Sequence, residues 1–401
     1  MPVGTVPGVY LEPAPAISSA QIGGIDEFKS IIIVGTAPSG TNNLLTDITS
    51  YDDFRTKFGT TAPVDLHIKN LFLNNPQLAT QQPNQRYRVK FVKATDTGGS
   101  PTTTTHITAG LNYLNSLDEV PLGFLLVPEA FTVTAPADTT TLYELIDDVC
   151  EAKGLLGLVD FRTTATTAAL IGTAADAYRL PRRSTAAYWG YTREASTDIP
   201  LSVIAAAHAV RQFDEFGQFT PPAGRYAIAN SNPQPRLLTK TDQELVYPKQ
   251  VNYAKRIMSG AGAFSDVIWG AKTLSSDPAQ GCPDINTYIA SVVTERSVQR
   301  NIEVFKSVGF SSVQIELKST VSQRLIELSD ANAFKQDVVL PNELVINTAS
   351  GLQRLSKGTT IPRGYTVFEP AVIGNKAYID FVYFPVTTLE QVIIRTSRVI
   401  I

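Results

Sequence analysis

The chain has 401 residues, 43% hydrophobic and 18% charged with a formal charge of −3, a globular composition with nothing global that points to nucleic acid or an anionic membrane. Two cysteines, Cys150 and Cys282, are too few for a disulfide framework and fit a reducing compartment. The chain opens without a secretory signal, and no apolar run reaches the ~18 residues of a membrane span, so the expectation is a soluble protein of two or three domains made in the cytoplasm.

Val3 to Pro15 is extended and Pro-punctuated, since each proline biases its predecessor toward β or polyproline geometry. Ile31-Ile32-Ile33-Val34 reads as a buried strand ending at Gly35. Ser50, with Asp53 three residues on, caps a helix over 51–58 in which Phe54 and Phe58 share a face. A second helix covers 64–74 and buries Leu66, Ile68, Leu71 and Phe72. Residues 86–93 alternate as a half-exposed strand. Thr95 to Thr105 is almost entirely Gly, Ser, Pro and Thr, and it marks a domain boundary.

Beyond it, Leu142, Leu145, Ile146 and Val149 have helical spacing behind a cap at Thr139 or Thr140. Residues 154–161 read as a buried strand, and 166–178 and 201–213 as helices. After Gln243 the pattern gives a strand end at 267–270, a helix over 284–306, a strand over 313–317, a helix over 319–334, and strands over 365–368 and 377–384. The last thirteen residues form a strand with no polar face: Val392, Ile394 and Ile400 fall on one side, and Ile393, Val399 and Ile401 on the other. Such a strand needs cover from its own sheet or a neighbour's. Two extended termini suggest subunits laced together. Residues 1–200 carry 14 basic and 20 acidic side chains and the rest 20 and 17, so the back half is mildly basic.

No constellation for chemistry emerges. Gly35 to Asn42 has the glycine spacing of a phosphate loop, but Thr41 stands in place of the lysine and Pro38 lacks a donor. His67, His106 and His208 have no metal-ligand spacing and read as ordinary helix residues. Asp52-Asp53 and Asp147-Asp148 point apart on their helices and read as solvated faces. Arg182-Arg183 near Tyr188-Trp189 lacks the basic stripe that RNA stacking needs. No catalytic residue, cofactor or metal is expected.

Six segments in order carry a resemblance: Pro7-Gly8-Val9-Tyr10-Leu11-Glu12; Ile33 to Gly40; Ile48 to Phe54 with Phe58-Gly59; Asn70 to Asn75 with Tyr87-Arg88-Val89; Ile199 to Ser202 with Pro221 to Gly224; and Ile268-Trp269-Gly270-Ala271-Lys272-Thr273-Leu274. Together they resemble the tail sheath protein of contractile phage tails and contractile injection systems. The resemblance is thin over about 99–195. Lys272 stands where arginine is usual, the Glu-Pro-Asn usual after the long helix is absent, and the tail after Pro385 is longer and more apolar.

The resemblance implies an α+β fold. Its core of mixed sheet and helices comes from both chain ends (23–98 and 241–385), with an outer α/β domain inserted at 99–240 and strand arms at 1–22 and 386–401. It implies that the arms add strands to neighbouring subunits, through Val6, Val9, Tyr10, Leu11 and Glu12 at one end and Val392, Ile393, Ile394, Val399, Ile400 and Ile401 at the other. Stacked hexameric rings would surround a tail tube protein, with baseplate and tail terminator proteins as further partners, in a virion tail assembled in the host cytoplasm. It implies no nucleic-acid binding and no membrane insertion. Trp269, Gly270 and Lys272 mark the family motif. The mild basicity makes Lys318, Arg324 and Lys335 the candidate tube contact. A non-contractile virion or capsid lattice protein is the alternative reading.

Overall fold

Four consecutive β-branched residues cannot face water on either side, and Ser30–Gly35 forms β1, buried along its whole length. The computed structural model describes residues 27–79, 88–94, 104–132, 136–161, 167–181, 183–258, 263–277, 281–303, 313–373 and 376–386. The candidate residues of both arms, Val6 to Glu12 and Val392 to Ile401, lie outside them. The described part of the chain divides into two compact units, residues 28–289 and residue 27 with 290–386.

In the first unit, β1 is followed by β2 (Leu45–Ile48), α1 (Tyr51–Phe58), α2 (Asp65–Asn74), β3 (Val89–Lys93), α3 (Thr104–Ser116), β4 (Gly123–Leu126), α4 (Pro136–Lys153) and β5 (Leu156–Phe161). Then come α5 (Ala168–Tyr178), β6 (Thr185–Trp189), β7 (Tyr191–Glu194), β8 (Thr197–Pro200), α6 (Leu201–Phe216), β9 (Pro233–Gln234), α7 (Lys240–Val246), β10 (Val251–Met258) and β11 (Phe264–Trp269). Eight strands form one sheet in the order β11-β10-β6-β5-β4-β1-β3-β2. The six inner strands are parallel, and β2 and β11 close the two edges as antiparallel partners.

Period-two alternation sends the side chains of β1 into two cores. Ile32 and Val34 join Ile107, Leu111, Leu142, Ile146 and Val149 of α3 and α4. The opposite face is aromatic: Phe28 packs edge-on to Phe124 at 5.3 Å, Phe124 stacks on Phe213 of α6 at 6.0 Å, and Phe91 meets Phe54 and Phe58 at 5.2 and 4.7 Å. Gly123 is required where β4 meets β1, because a Cβ there would lie 1.9 Å from the carbonyl oxygen of Ser30.

The expected separation of 99–240 as an outer insert does not match this architecture. β4, β5 and β6 all come from that stretch, yet they occupy the middle of the sheet that β1, β3 and β10 share. β3 and α3, on either side of the Gly/Ser/Thr-rich run, both belong to the first unit. Parallel strands need long crossover connections, so a shift in composition between these two elements does not divide the unit.

The second unit holds the end of α8 (Ile285–Glu303) and α9 (Val313–Asp330), followed by four antiparallel pairings. These are β12 (Val338–Val339) with β15 (Thr360–Ile361), β13 (Leu344–Thr348) with β14 (Gly351–Leu355), β16 (Tyr365–Val367) with β19 (Phe381–Tyr383), and β17 (Ala371–Ile373) with β18 (Lys376–Tyr378). The expected strand over 313–317 is the first part of α9. Its alternation spans only five residues, while Leu317, Val321, Leu325 and Leu328 continue at helical spacing and are all buried. α9 ends at Asp330, so Phe334 lies beyond it and packs on Tyr365 and Tyr383 at 6.0 and 5.6 Å.

Other local readings hold with adjusted ends. Ser50 accepts from the Asp53 amide at 3.0 Å as the cap of α1. α4 begins at Pro136, so Thr139 and Thr140 lie inside it rather than capping it. Leu66 of α2 is only partly buried. β3 is more buried than a half-exposed strand, with Val89, Phe91, Val92 and Lys93 all covered.

Asp160 of β5 lies beneath the start of α6, where its carboxylate accepts the Ser202 amide at 3.0 Å. Burial outweighs these bonds and pushes its pKa up to about 7. Between the ordinary value of 3.8 and about 7 the folded chain holds a proton that the unfolded chain has lost. Stability from this group is therefore full below pH 3.8 and falls as pH rises toward 7. Asp160→Asn keeps an acceptor and cannot ionise. It is expected to raise unfolding free energy at pH 8 by roughly 2–4 kcal/mol and to give no gain near pH 4, as read by urea denaturation.

Candidate functional site

In a doubly wound sheet, ligands bind where the strand order reverses, beyond the carboxyl ends of the strands. Here β1 leads to β3 on one side and to β4 on the other, so the reversal lies between β1 and β4. That position is already filled. Glu129, just after β4, is buried and accepts the Thr36 amide at 2.5 Å and the Thr36 hydroxyl at 2.6 Å. A protein carboxylate thus takes the donors that the phosphate-loop spacing offered.

The other suspected chemical groups are also built into the fold. His67 and His208 are buried, and burial brings each pKa down to about 4. His67 is near the Asp198 carbonyl through Nε2, at 3.2 Å. Asp147 is not a solvated face. It is buried, and it accepts the Ser184 amide at 2.7 Å and pairs with the Arg183 guanidinium at 3.0 Å. Burial pushes its carboxyl up, with Arg183 opposing. Asp148, its neighbour, is exposed as expected. Among the described residues no cluster of His, Cys, Asp and Glu could hold a metal ion, and no helix is long and apolar enough to cross a membrane.

The Trp269-Gly270-Ala271-Lys272 segment forms a polar junction. Gly270, at φ +96°, turns the chain off the end of β11, and a Cβ there would meet Asn252 Oδ1 at 2.6 Å. Asn252, fully buried in β10, then binds Lys272 in both directions: its Oδ1 accepts the Lys272 amide at 2.9 Å, and its Nδ2 donates to the Lys272 carbonyl at 2.8 Å. The same Nδ2 reaches the Ala187 carbonyl of β6 at 3.0 Å. The Lys272 ammonium pairs with Asp284 at 2.8 Å, with both side chains nearly buried. Leu274 donates its amide to Thr185, and Ser275 exchanges hydrogen bonds with Arg183. The motif ties the sheet's β10–β11 end to β6 and to the start of α8. A single ammonium–carboxylate contact serves here, so the bidentate fork of arginine is not needed.

The sequence singled out Trp269, Gly270 and Lys272 but missed Asn252 and Asp284. Asn252 carried a signal, since a lone amide between Val251 and Tyr253 is a buried polar group awaiting partners. Asp284 carried none, because its partner is fixed only once Gly270 has turned the chain.

The three basic residues of the second unit do not form one surface. Arg324 is buried, pairing with Glu327 at 2.7 Å and donating to Asn301 Oδ1 at 3.0 Å, so it braces α8 against α9. This corrects its assignment to a tube contact: it lies among Val321, Leu325 and Leu328 in the buried part of the helix. Lys318 is partly exposed and paired with Glu369, and Lys335 is exposed beyond the helix. The β13–β14 ribbon of this unit leaves Val345 and Leu352 47% and 57% exposed.

Removing the ammonium of Lys272 strands the Asp284 carboxylate in a buried site. Lys272→Met is expected to cost about 3–5 kcal/mol, and Lys272→Met with Asp284→Asn to recover most of the loss, as measured by thermal or urea unfolding. Equal loss in the single and double variants would show that the pair is not what holds the junction.

Neither a protein-family model nor a curated protein matches this sequence. Solved structures do. A chain of the contracted sheath complex of the extracellular contractile injection system PVC matches at a TM-score of 0.66 and 16% identity, over 99% of this chain and 98% of that one. A chain of the anti-feeding prophage (AFP) baseplate gives 0.65 and 15%, over 99% and 100%. The sheath tail protein Lin1278 of Listeria innocua gives 0.53 and 9%, over 91% and 97%. Over nearly its whole length the chain has the fold of sheath proteins from contractile injection systems and contractile tails.

Proposed function

We propose that this chain is the structural subunit of a contractile sheath. It polymerises as stacked six-subunit rings around an inner tube, and the sheath shortens to drive the tube through a target envelope. The observation that carries the reading is the end-to-end match to chains of contracted sheath complexes, including the helical AFP sheath. In this role the chain works mechanically, in a tail-like assembly, with the tube protein and with the baseplate and terminator proteins that begin and end the stack.

The two units suit different parts of that role. In the first, the outer side of β11 is bonded to a neighbouring segment, and β2 is the terminal strand at the other edge. Gly224 and Ile228 donate to Ile268 and Asp266 along the outer side of β11, and the Lys57 ammonium donates to the Asp47 carbonyl on β2. In the second, the β13–β14 ribbon has exposed apolar residues, and a lone two-stranded ribbon is marginal in water. We assign strand exchange to the arms, through Val6 to Glu12 and Val392 to Ile401, and place their strand partners among such ribbons. Burying six Val and Ile side chains yields roughly 12 kcal/mol gross, and ladder bonds add about 1 kcal/mol each. Ordering ten residues costs on the order of 10–20 kcal/mol. One arm alone is close to neutral, so lacing is collective and assembly requires a nucleus.

Purified, concentrated protein viewed by negative-stain electron microscopy is expected to give hollow, six-fold striated cylinders after a lag. The chain lacking Val392–Ile401 is expected to assemble far more slowly by light scattering; assembly at the wild-type rate would exclude the arm from lacing. For the tube-facing surface, Lys318→Glu with Lys335→Glu is expected to slow tube-templated assembly at low salt while leaving the fold intact. Arg324→Ala is expected instead to lower the unfolding midpoint, because it removes a buried brace.

A further inference from the structure

A cleft of about 630 Å³ opens beside the Trp269 junction of the first unit, a volume suited to a small molecule. Its walls come from the 220–225 segment, α7 and the β10–β11 pair. Trp269, Tyr247 and Tyr253 line it with aromatic rings, and Pro221 adds rigid apolar surface. Its three cations are unequally engaged. Arg225 lies over the Phe216 ring at 4.0 Å, and Lys240 is 3.9 Å from Glu244, the one carboxylate in the lining. The Lys255 ammonium has no carboxylate partner among the described residues and rests over the Trp269 ring at 4.1 Å.

Tyr253 supplies the observation that points to a ligand. The residue is 2% exposed and lines the cleft, yet its hydroxyl has no hydrogen-bond partner among the described residues. The oxygen is not one of the fully enclosed unpaired atoms of the fold, so it opens on the cleft. A hydroxyl so nearly buried costs free energy until something accepts its proton. Burial, with Tyr247 beside it, pushes its pKa up to about 12, so at neutral pH it is a donor. The Tyr247 hydroxyl, its pKa raised by burial and then by Asp284, is a second donor without a described partner. Two phenolic donors and an ammonium in one lining are recognition groups for an oxyanion. The aromatic and proline walls ask in addition for a flat apolar body.

We propose that the cleft is a binding site for a small aromatic oxyanion, a flat ring system that carries a carboxylate or a phosphate. The oxyanion takes the Lys255 ammonium and the Tyr253 hydroxyl, and the ring system lies along Trp269, Tyr247 and Pro221. A ligand so placed bridges the 220–225 segment, α7 and the β10–β11 pair, and it stabilises the first unit because the unfolded chain has no such site. The site stands apart from the sheath reading, since it needs one copy of the chain and neither arm.

The chain has two tryptophans, and Trp189 is buried in β6, so ligand-dependent emission reports on Trp269. Dilute full chain is titrated with para-phenylbenzoate, with para-biphenylyl phosphate and with the neutral para-phenylbenzyl alcohol. A saturable change in tryptophan emission is expected with the anions, and Trp269→Phe abolishes it. The alcohol is expected to bind at least about tenfold more weakly, and Lys255→Met and Tyr253→Phe each to weaken the anions by about tenfold. Whichever anion binds more tightly identifies the oxyanion. In a second measurement, saturating anion is expected to raise the unfolding temperature of the wild-type chain and to leave that of Lys255→Met unchanged. No saturable change with either anion, equal binding of the alcohol, or undiminished affinity in both variants would overturn the site.

Discussion

Six parallel strands, buried on both faces over most of their length, set the terms for everything else in the first unit. Such strands leave no room for a polar side chain that is not paired, and their crossovers force helices onto both faces. The consequences can be followed residue by residue. Gly123 lets β4 approach β1 closely enough to pair. Phe54, Phe58 and Phe91 fill one face where α1 and α2 lie, and the apolar stripes of α3 and α4 fill the other. The edges are the exposed weakness of any sheet, and here a short antiparallel strand at each end terminates the pairing, with the 224–228 strap bonded along β11.

The same constraint explains why a fold whose strand order resembles that of nucleotide-binding proteins presents its crevice in a different form. The amide and hydroxyl of Thr36 point to where an anion belongs, and Glu129 supplies that anion from within the chain. The buried polar groups elsewhere follow the same rule. Asn252, Asp147 and Lys272 are each satisfied by several partners from separate strands or by an opposite charge. They fix where elements meet. Burial nevertheless raises the carboxyl of Asp147 and lifts that of Asp160 to about 7, so these sites store a pH dependence.

How much was legible in the sequence varied with the range of the interaction. Ser50 with Asp53, the phenylalanine pair of α1 and the isoleucine run of β1 are short-range signals, and each appeared where it was read. The strand over 313–317 failed because five alternating residues fit both periods, and only the heptad-like continuation through Leu328 decides for a helix. The supposed insert failed for a longer-range reason. Sheet order is set by which hydrophobic faces find each other across more than a hundred residues, and a composition shift cannot report that. Arg324 failed because charge was read without burial; its place on the inner side of α9 becomes visible only beside Leu325 and Leu328. The motif around Trp269 was recognised as a pattern, but its physical meaning depends on Asn252 and Asp284, which lie outside it.

In the proposed role of a sheath subunit the chain would have to survive displacement of its neighbours, and its division into two units suits that demand. The first unit contains few open edges and many polar junctions that hold strands in fixed register, so displacement within it would break several buried bonds at once. The second unit is built of short pairings of two to five residues and has exposed apolar ribbons, a construction that gains from additional strands. An arm that adds a strand to such a ribbon gains backbone pairing without disturbing the stiff sheet.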